Sequence, residues 1–359
     1  MVSLVLLVFL AAKVSNTDAF AASQSSKYLP RTQQPVGNIL ILDHLNINHE
    51  KGRHDWLKAF YFDFLNCAVD PRKQENIIQG RKTLWANIGA NQFHLPEGKP
   101  DAQVLNGVIT LSYPNLSAVV QRYEKIKHSL LETKFAVRAE DDECLTVNDP
   151  WGNVFRIVQG DNAERDSRGL QLGSKEKDGL ALRDLTIHTP PGCNMQGIAR
   201  FYEEIMGAPI LHCSSQSVVV SVGPYQTLTF APNRAETAVL HVDLRDEQTE
   251  PASGYPTFPS NYGPHISLYL AEFSECYRKA DALKLVYVNP RFRRQAYTLD
   301  QAIDDCMFRI LDIVDPYQPE AGPILSLEHE VRSVVKRNGD KYGSCPFDEI
   351  PDACQRTLS

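Results

Sequence analysis

The side chains of this chain that could do chemistry are scattered, and none falls in a nucleophilic or phosphate-binding motif. There is no Gly-x-Ser-x-Gly elbow, no phosphate-binding Gly-rich loop ending in Lys-Ser/Thr, and no Gly-x-Gly-x-x-Gly turn after a strand. Eight cysteines occur, at Cys67, Cys144, Cys193, Cys213, Cys276, Cys306, Cys345 and Cys354. None forms a Cys-x-x-Cys pair or a zinc-ligand spacing, which disfavours a structural zinc site. Only Cys345 and Cys354, in a Gly-, Pro- and Asp-rich tail, are close enough to suggest a local bridge; the other six read as buried thiols. Isolated carboxylates read as surface charge. What remains is a set of histidines and carboxylates whose meaning depends on the elements that carry them.

Those elements repeat. Ala199-Arg200-Phe201-Tyr202-Glu203-Glu204-Ile205-Met206-Gly207 places an apolar stripe on a helix that Gly207 ends. An imperfect copy, Ala59-Phe60-Tyr61-Phe62-Asp63-Phe64-Leu65-Asn66, has Asn66 in the glycine's place. Each follows a strand-like run, Ile41-Leu42-Asp43-His44-Leu45-Asn46-Ile47 or Ala181-Leu182-Arg183-Asp184-Leu185-Thr186-Ile187, and each leads into further short strands. The repeated unit is therefore strand, helix, strands.

Along the chain, the first block predicts strands at 39–48, 83–88 and 91–95 with a helix over 54–66. Its second half predicts strands at 107–112, 135–139, 143–147 and 154–158 and a helix over 116–130. Asp149-Pro150-Trp151-Gly152-Asn153 forms the tight turn before the last of these. Residues 161–178 are charged and poor in large apolar residues, and read as an interdomain linker. The second block, 179–335, repeats the order. It has strands at 210–213, 217–222 and 226–230, an insertion rich in Pro, Tyr and Gly at 245–262, and a helix over 272–285. A second insertion, 298–305, has Thr298 and Gln301 at capping-box spacing. Strands at 307–314 and 324–331 close the block around Asp315-Pro316-Tyr317, and the tail 336–359 is irregular.

Composition bounds the function. The 359 residues suffice for two domains, and 43% hydrophobic with 23% charged residues is the balance of a soluble globular protein. A net charge of -7 without any basic, aromatic-interleaved run argues against nucleic acid as a partner. Residues 1–37 read as a targeting segment. A short apolar run from Val2 to Ala12 and small residues around Ala19-Phe20-Ala21 suit a secretory signal peptide, leaving no integral membrane domain after processing. The following stretch, rich in Ser, Gln, Lys and Arg and free of acids, resembles a bipartite plastid presequence. The expected destination is a secondary plastid or the exterior.

The order of these units, the Phe-Tyr helices and the Asp-Pro-x-Gly-Asn turn resemble the vicinal oxygen chelate superfamily over residues 38–332. That superfamily includes glyoxalases, extradiol dioxygenases, fosfomycin-resistance transferases and bleomycin-binding proteins. The resemblance implies an α+β fold of tandem paired βαβββ modules, each pair curving a mixed sheet around a cup. The first domain would be 38–160 and the second 179–335. It also implies that a divalent metal is held by side chains on the first and last strands of the modules, with positions left open for substrate oxygens.

On these positions the first domain has His44 and His94, but Thr110 in Val108-Ile109-Thr110-Leu111 and Arg156 where an anion is needed. His44 and His94 without a third ligand read as structural or ligand-binding. The planar fork of Arg156 suits a carboxylate or phosphate. The second domain has Asp184, Thr229, His265 and Ser326, with Glu328 two residues further along the same strand face. Asp184, His265 and Glu328 are then the expected ligands for one Zn, Mn or Fe ion. Two functions follow. One is a metal-dependent lyase, isomerase or dioxygenase working on a small oxygen-rich molecule in the second domain. The other is a metal-free module that binds a small molecule.

Overall fold

The run from Ile39 opens with four consecutive apolar residues, the pattern of a strand covered on both faces. In a computed structural model of the chain it forms β1 (Ile39–Asn46), all eight residues buried. The structure describes residues 33–80, 83–98, 102–169, 171, 173–232, 264–289 and 298–354. The targeting segment up to residue 32, the insertion 245–262 and the last five residues lie outside the described residues. Among the described residues no helix is long and apolar enough to cross a membrane.

Four modules follow one another. The first holds β1, β2 (Ala68–Val69), β3 (Leu84–Ile88) and β4 (Asn91–Leu95); the second holds β5 (Gly107–Tyr113), β6 (Ala136–Asp141), β7 (Cys144–Asn148) and β8 (Val154–Gln159). The third holds β9 (Ala181–Thr189), β10 (Ile210–Cys213), β11 (Val218–Gly223) and β12 (Gln226–Pro232). The fourth holds β13 (His265–Leu270), β14 (Met307–Val314) and β15 (Pro323–Ser333), with a single bridge from Val286 to Ile310. β2 and a short helix, Gln74–Gln79, have no counterpart in the sequence reading. That helix buries none of its residues, so it leaves no apolar period to detect.

The repeated helices behave as their sequences require. Phe60, Tyr61 and Phe64 in one, and Phe201, Tyr202 and Ile205 in the other, face the core. Burying each such side chain is worth about 1.5–3 kcal/mol. Both helices widen in the last turn, where Leu65 N–H reaches Phe60 O at 2.9 Å and Met206 N–H reaches Phe201 O at 3.4 Å. Both end in a left-handed residue, Asn66 at φ 54° and Gly207 at φ 64°, so Asn66 does replace the glycine. Asn115 caps the helix Leu116–Ile126 by accepting from Ala118 N–H at 3.2 Å. Thr298 and Gln301 form the reciprocal capping box at the start of the helix Leu299–Asp305.

The modules pair differently from the consecutive order expected of two self-contained domains. One sheet runs β14-β15-β13-β1-β4-β3-β2 and joins the fourth module to the first. The other runs β10-β11-β12-β9-β5-β8-β7-β6 and joins the third to the second. In each, the first strands of two modules lie side by side and antiparallel, β1 with β13 and β5 with β9. All four first strands are largely buried, so an apolar run does not say which of them will meet. Helices join the modules that the sheets do not. Arg122 donates through Nε to Phe64 O at 2.6 Å between the first two, and Cys276 lies 3.6 Å from the Met206 sulfur between the last two.

The two sheets meet where β1 passes β9 and β12. Asn91 donates to Leu42 O at 2.7 Å and accepts from Leu182 N–H at 2.8 Å, and Gln226 Nε2 donates to Leu42 O at 3.1 Å and Leu182 O at 2.9 Å. The stretch read as a linker is also tied down. Glu164 accepts from Arg183, Arg168 donates to Leu40 O, and Gln171 donates to Asp43. The tail passes over it so closely that a Cβ on Gly169 would lie 2.1 Å from Pro346 O. Cys345 and Cys354 form no disulfide with each other. Burial pushes the first up to about 12 and the second to about 11.

A nick at 161–178 should therefore leave both halves bound together, because the strand pairs β1–β13 and β5–β9 cross it. Limited proteolysis followed by size exclusion should show co-elution of the fragments; independent elution as folded pieces would contradict this pairing.

A second prediction concerns the contact that ties the third module's helix to the turn of the fourth. Arg200 Nε donates to Asp315 Oδ1 at 2.8 Å, and its second nitrogen reaches Oδ2. The Arg200 hydrogen bonds hold the Asp315 carboxyl down to about 2, from 3.8. Because the folded state binds this proton more weakly, the contribution is complete above the unfolded value and fades as pH falls from about 4 to about 2. Asp315→Asn should cost about 1–2 kcal/mol at pH 7, discounted for the partial exposure of Arg200. The gap from wild type in urea unfolding should close towards pH 2; a gap that does not depend on pH would count against the assignment.

Candidate metal centre

Register brings four cup-facing side chains together. β1 pairs with β13 so that Asn46 faces His265 and His44 faces Ser267, and β15 lies parallel to β13 with Ser267 opposite Glu330. On the other side of β1, Asn46 lies opposite His94 of β4. His44, His265 and Glu330 each offer one ligand atom within 4.8 Å of the others. His44 Nε2 is 3.8 Å from Glu330 Oε1, and His265 Nε2 is 3.5 Å from Glu330 Oε2. All three residues are buried.

The surroundings orient these groups. Asp43 Oδ2 lies 2.8 Å from His44 Nδ1, which turns Nε2 into the cup, where it has no hydrogen-bond partner among the described residues. Gln171 donates to the same Asp43 at 3.1 Å. Burial alone would raise the Glu330 carboxyl, but the guanidiniums of Arg332 and Arg309 hold it well below the usual range. Burial, helped by the neighbouring His44, holds His94 well below its usual value and keeps it neutral.

Ring geometry separates the two histidine pairs. An imidazole nitrogen about 2.1 Å from a zinc-class ion puts its ring centroid about 3.2 Å away, so two ligating rings lie about 4.5–5.5 Å apart. His44 and His265, at 5.7 Å and nearly perpendicular, are close to this range. His44 and His94 are stacked at 3.6 Å, too near to bind together as placed, and His94 Nε2 lies 2.6 Å from Gln92 Oε1. His94 would have to turn to serve as a fourth ligand. The donor set thus fits a divalent ion with two imidazoles and one carboxylate.

The expected ligand set is corrected in two places. Asp184 lies in the other sheet, so it does not meet His265. Glu328 shares the strand face and is opposite His265 in register, but its carboxylate is taken by Arg309 and by Asn289 at 2.9 and 3.0 Å. Ser326 donates to Asp312 at 2.8 Å and is also apart from the cluster. Glu330 is the residue that sequence reasoning missed. Its signal was present: residues 328 and 330 share a face by alternation, while His329 points the other way, 2.6 Å from Tyr202 Oη. β15 runs to Ser333, two residues past the expected end, which moves the cup position along the strand.

The equivalent positions of the second cup are Thr110, Arg156, Asp184 and Thr229. Asp184 accepts from the hydroxyls of Thr186, Thr227 and Thr229 at 2.6–2.7 Å. Burial raises its carboxyl despite those hydroxyls. Arg156 pairs with Glu140 at 3.2 Å and lies 3.3 Å from the Cys144 sulfur.

No protein-family model matches the chain, and no curated protein does. Among solved structures, glyoxalase I from Zea mays is similar over 83% of this chain and 93% of its own, at 9% identity and a TM-score of 0.46. The fosfomycin resistance protein FosX from Mesorhizobium loti covers 34% of this chain and 94% of its own, at 12% identity and a TM-score of 0.25. Lactoylglutathione lyase from Agrobacterium tumefaciens covers 32% and 90%, at 13% and 0.23. The strand order itself, with four modules joined in pairs through their first strands into two mixed sheets, gives the chain the α+β architecture of paired modules.

Proposed function

We propose that the cup shared by the first and fourth modules is a divalent-metal centre and that the protein is a metal-dependent lyase, isomerase or dioxygenase. Its substrate would be a small molecule with adjacent oxygens. The observation that carries this reading is the convergence of His44, His265 and Glu330 within 4.8 Å, with His44 Nε2 buried and lacking a hydrogen-bond partner among the described residues. Two imidazoles and a carboxylate suit Zn, Mn or Fe and leave coordination positions open. An ion bound there would polarise a substrate carbonyl or stabilise an enediolate.

The chain's own residues supply orientation and charge. Asp43 fixes the His44 ring, and Arg309 and Arg332 keep Glu330 ionised. His94 stands beside the cluster as a neutral imidazole. The second cup supports the metal-free reading for its own half, since Asp184 is its one strong donor among the described residues and accepts from three hydroxyls. A small ligand there would meet threonine hydroxyls and Arg156.

Elemental analysis and calorimetry on the full chain test the proposal. Wild type should bind about one Zn, Mn or Fe ion per chain. His265→Ala and Glu330→Gln should each weaken binding more than about 100-fold, beyond the usual cost of a residue outside the ligand set. Asp184→Asn should leave it unchanged. Absence of divalent binding by wild type at neutral pH would remove the metal centre and favour the binding module.

A further inference from the structure

Glu330 has a partner on each side of each oxygen. Oε1 faces His44 Nε2 at 3.8 Å and takes Nε and Nη2 of Arg332 from behind. Oε2 faces His265 Nε2 at 3.5 Å and takes Nη2 of Arg309. An ionised carboxylate offers about four lone-pair sites. Each oxygen is thus held by a guanidinium and lies 3.8 or 3.5 Å from an imidazole nitrogen, so the arginine contacts constrain the orientation of the carboxylate as well as its charge.

The two arginines differ in what holds them. Arg309 stands opposite Glu330 on β14 and also pairs with Glu328, so the sheet places it. Arg332, within β15 like Glu330, is held in addition from outside the sheet: its Nη1 donates to Tyr342 Oη at 3.3 Å, with the guanidinium 5.8 Å from the Tyr342 ring. Tyr342 belongs to the C-terminal tail. Its N–H donates to Val334 O at 2.7 Å, and a bridge between Val335 and Lys341 closes the turn leading to it. Tyr269, on the same face of β13 as His265, donates to Ser344 O at 3.1 Å. Lys341 Nζ donates to Phe347 O at 2.7 Å, Asp348 N–H donates to Arg168 O at 2.9 Å, and Phe347 is buried beside Leu40 and Ile41. The tail is thus a packed strut that reaches the cluster in two steps.

We infer that Arg332 is a positioning residue for Glu330 and that the C-terminal tail, through Tyr342, fixes Arg332. The inference rests on the metal-centre reading above. It gives the tail a part in forming the site, beyond covering one end of a sheet.

The test compares wild type with Arg332→Met, Arg332→Lys and Tyr342→Phe in the full chain, with Zn and Co(II) as probes. Calorimetry gives affinity, Co(II) absorption reports ligand geometry, and thermal unfolding reports the fold. Arg332→Met should weaken binding about 10–100-fold and change the Co(II) spectrum. Arg332→Lys, which keeps the charge but loses the planar fork, should fall between it and wild type and serves if the methionine variant does not fold. Tyr342→Phe should shift the spectrum in the same direction with a loss of a few-fold. Arginine variants with wild-type affinity and spectrum would overturn the role of Arg332. An unchanged Tyr342→Phe with altered arginine variants would overturn that of the tail. A wild-type protein that binds neither ion would instead sink the metal centre, and this inference with it.

Discussion

The antiparallel pairing of β1 with β13 is the constraint on which the rest depends. These strands come from opposite ends of the chain, yet their register places Asn46 opposite His265 and brings His44 within reach of the same cup. The register shifts between Leu42 and His44, and such a shift turns one side chain relative to its neighbours. A slip of one residue would send His44 to the helix-packed face and an apolar neighbour into the cup. Leu42, Leu45 and Ile47 belong to the main core, so that slip is opposed by burial as well as by hydrogen bonding.

Electrostatics in the cup follow from that packing. Asp43, Glu328 and Glu330 are buried beside Arg309 and the largely buried Arg332, three carboxylates against two guanidiniums. Removing one partner from such a network leaves an uncompensated buried charge, a strongly destabilising change. The paired arginines therefore fulfil a structural need first. The same contacts hold Glu330 ionised, so a buried carboxylate faces two imidazoles, a donor set that suits a cation.

Much of this was legible in the sequence, for identifiable reasons. The strands β4, β10 and β14 occur at the expected bounds, and the capping box at Thr298 and the left-handed Asn66 follow from local rules about hydrogen bonds and backbone sterics. His44, His94 and His265 lie on β1, β4 and β13, strands that the apolar pattern marks. Their partnership was not legible, because which first strands pair is a long-range choice that apolar alternation does not encode. Glu330 was missed for a related reason. Moving two residues along a strand preserves the face, so sequence alternation alone could not separate residue 328 from residue 330; contacts with Arg309 and Asn289 on one side and with imidazoles on the other do.

The two cups show how one scaffold reaches different chemistry. In both, the four critical positions are set by the first and last strands of paired modules. Where the first cup has imidazoles and a carboxylate, the second has Thr110, Arg156, Asp184 and Thr229, and its acid is enclosed by hydroxyl donors. Three hydroxyl hydrogen bonds satisfy a buried carboxylate without any cation, whereas His44 Nε2 in the first cup has Glu330 Oε1 at 3.8 Å, beyond hydrogen-bond distance. Hydroxyl donors surround the acid of the second cup, whereas in the first cup His44 Nε2 has no hydrogen-bond partner among the described residues, so a cation would find an open donor atom in the cup that joins the first and fourth modules.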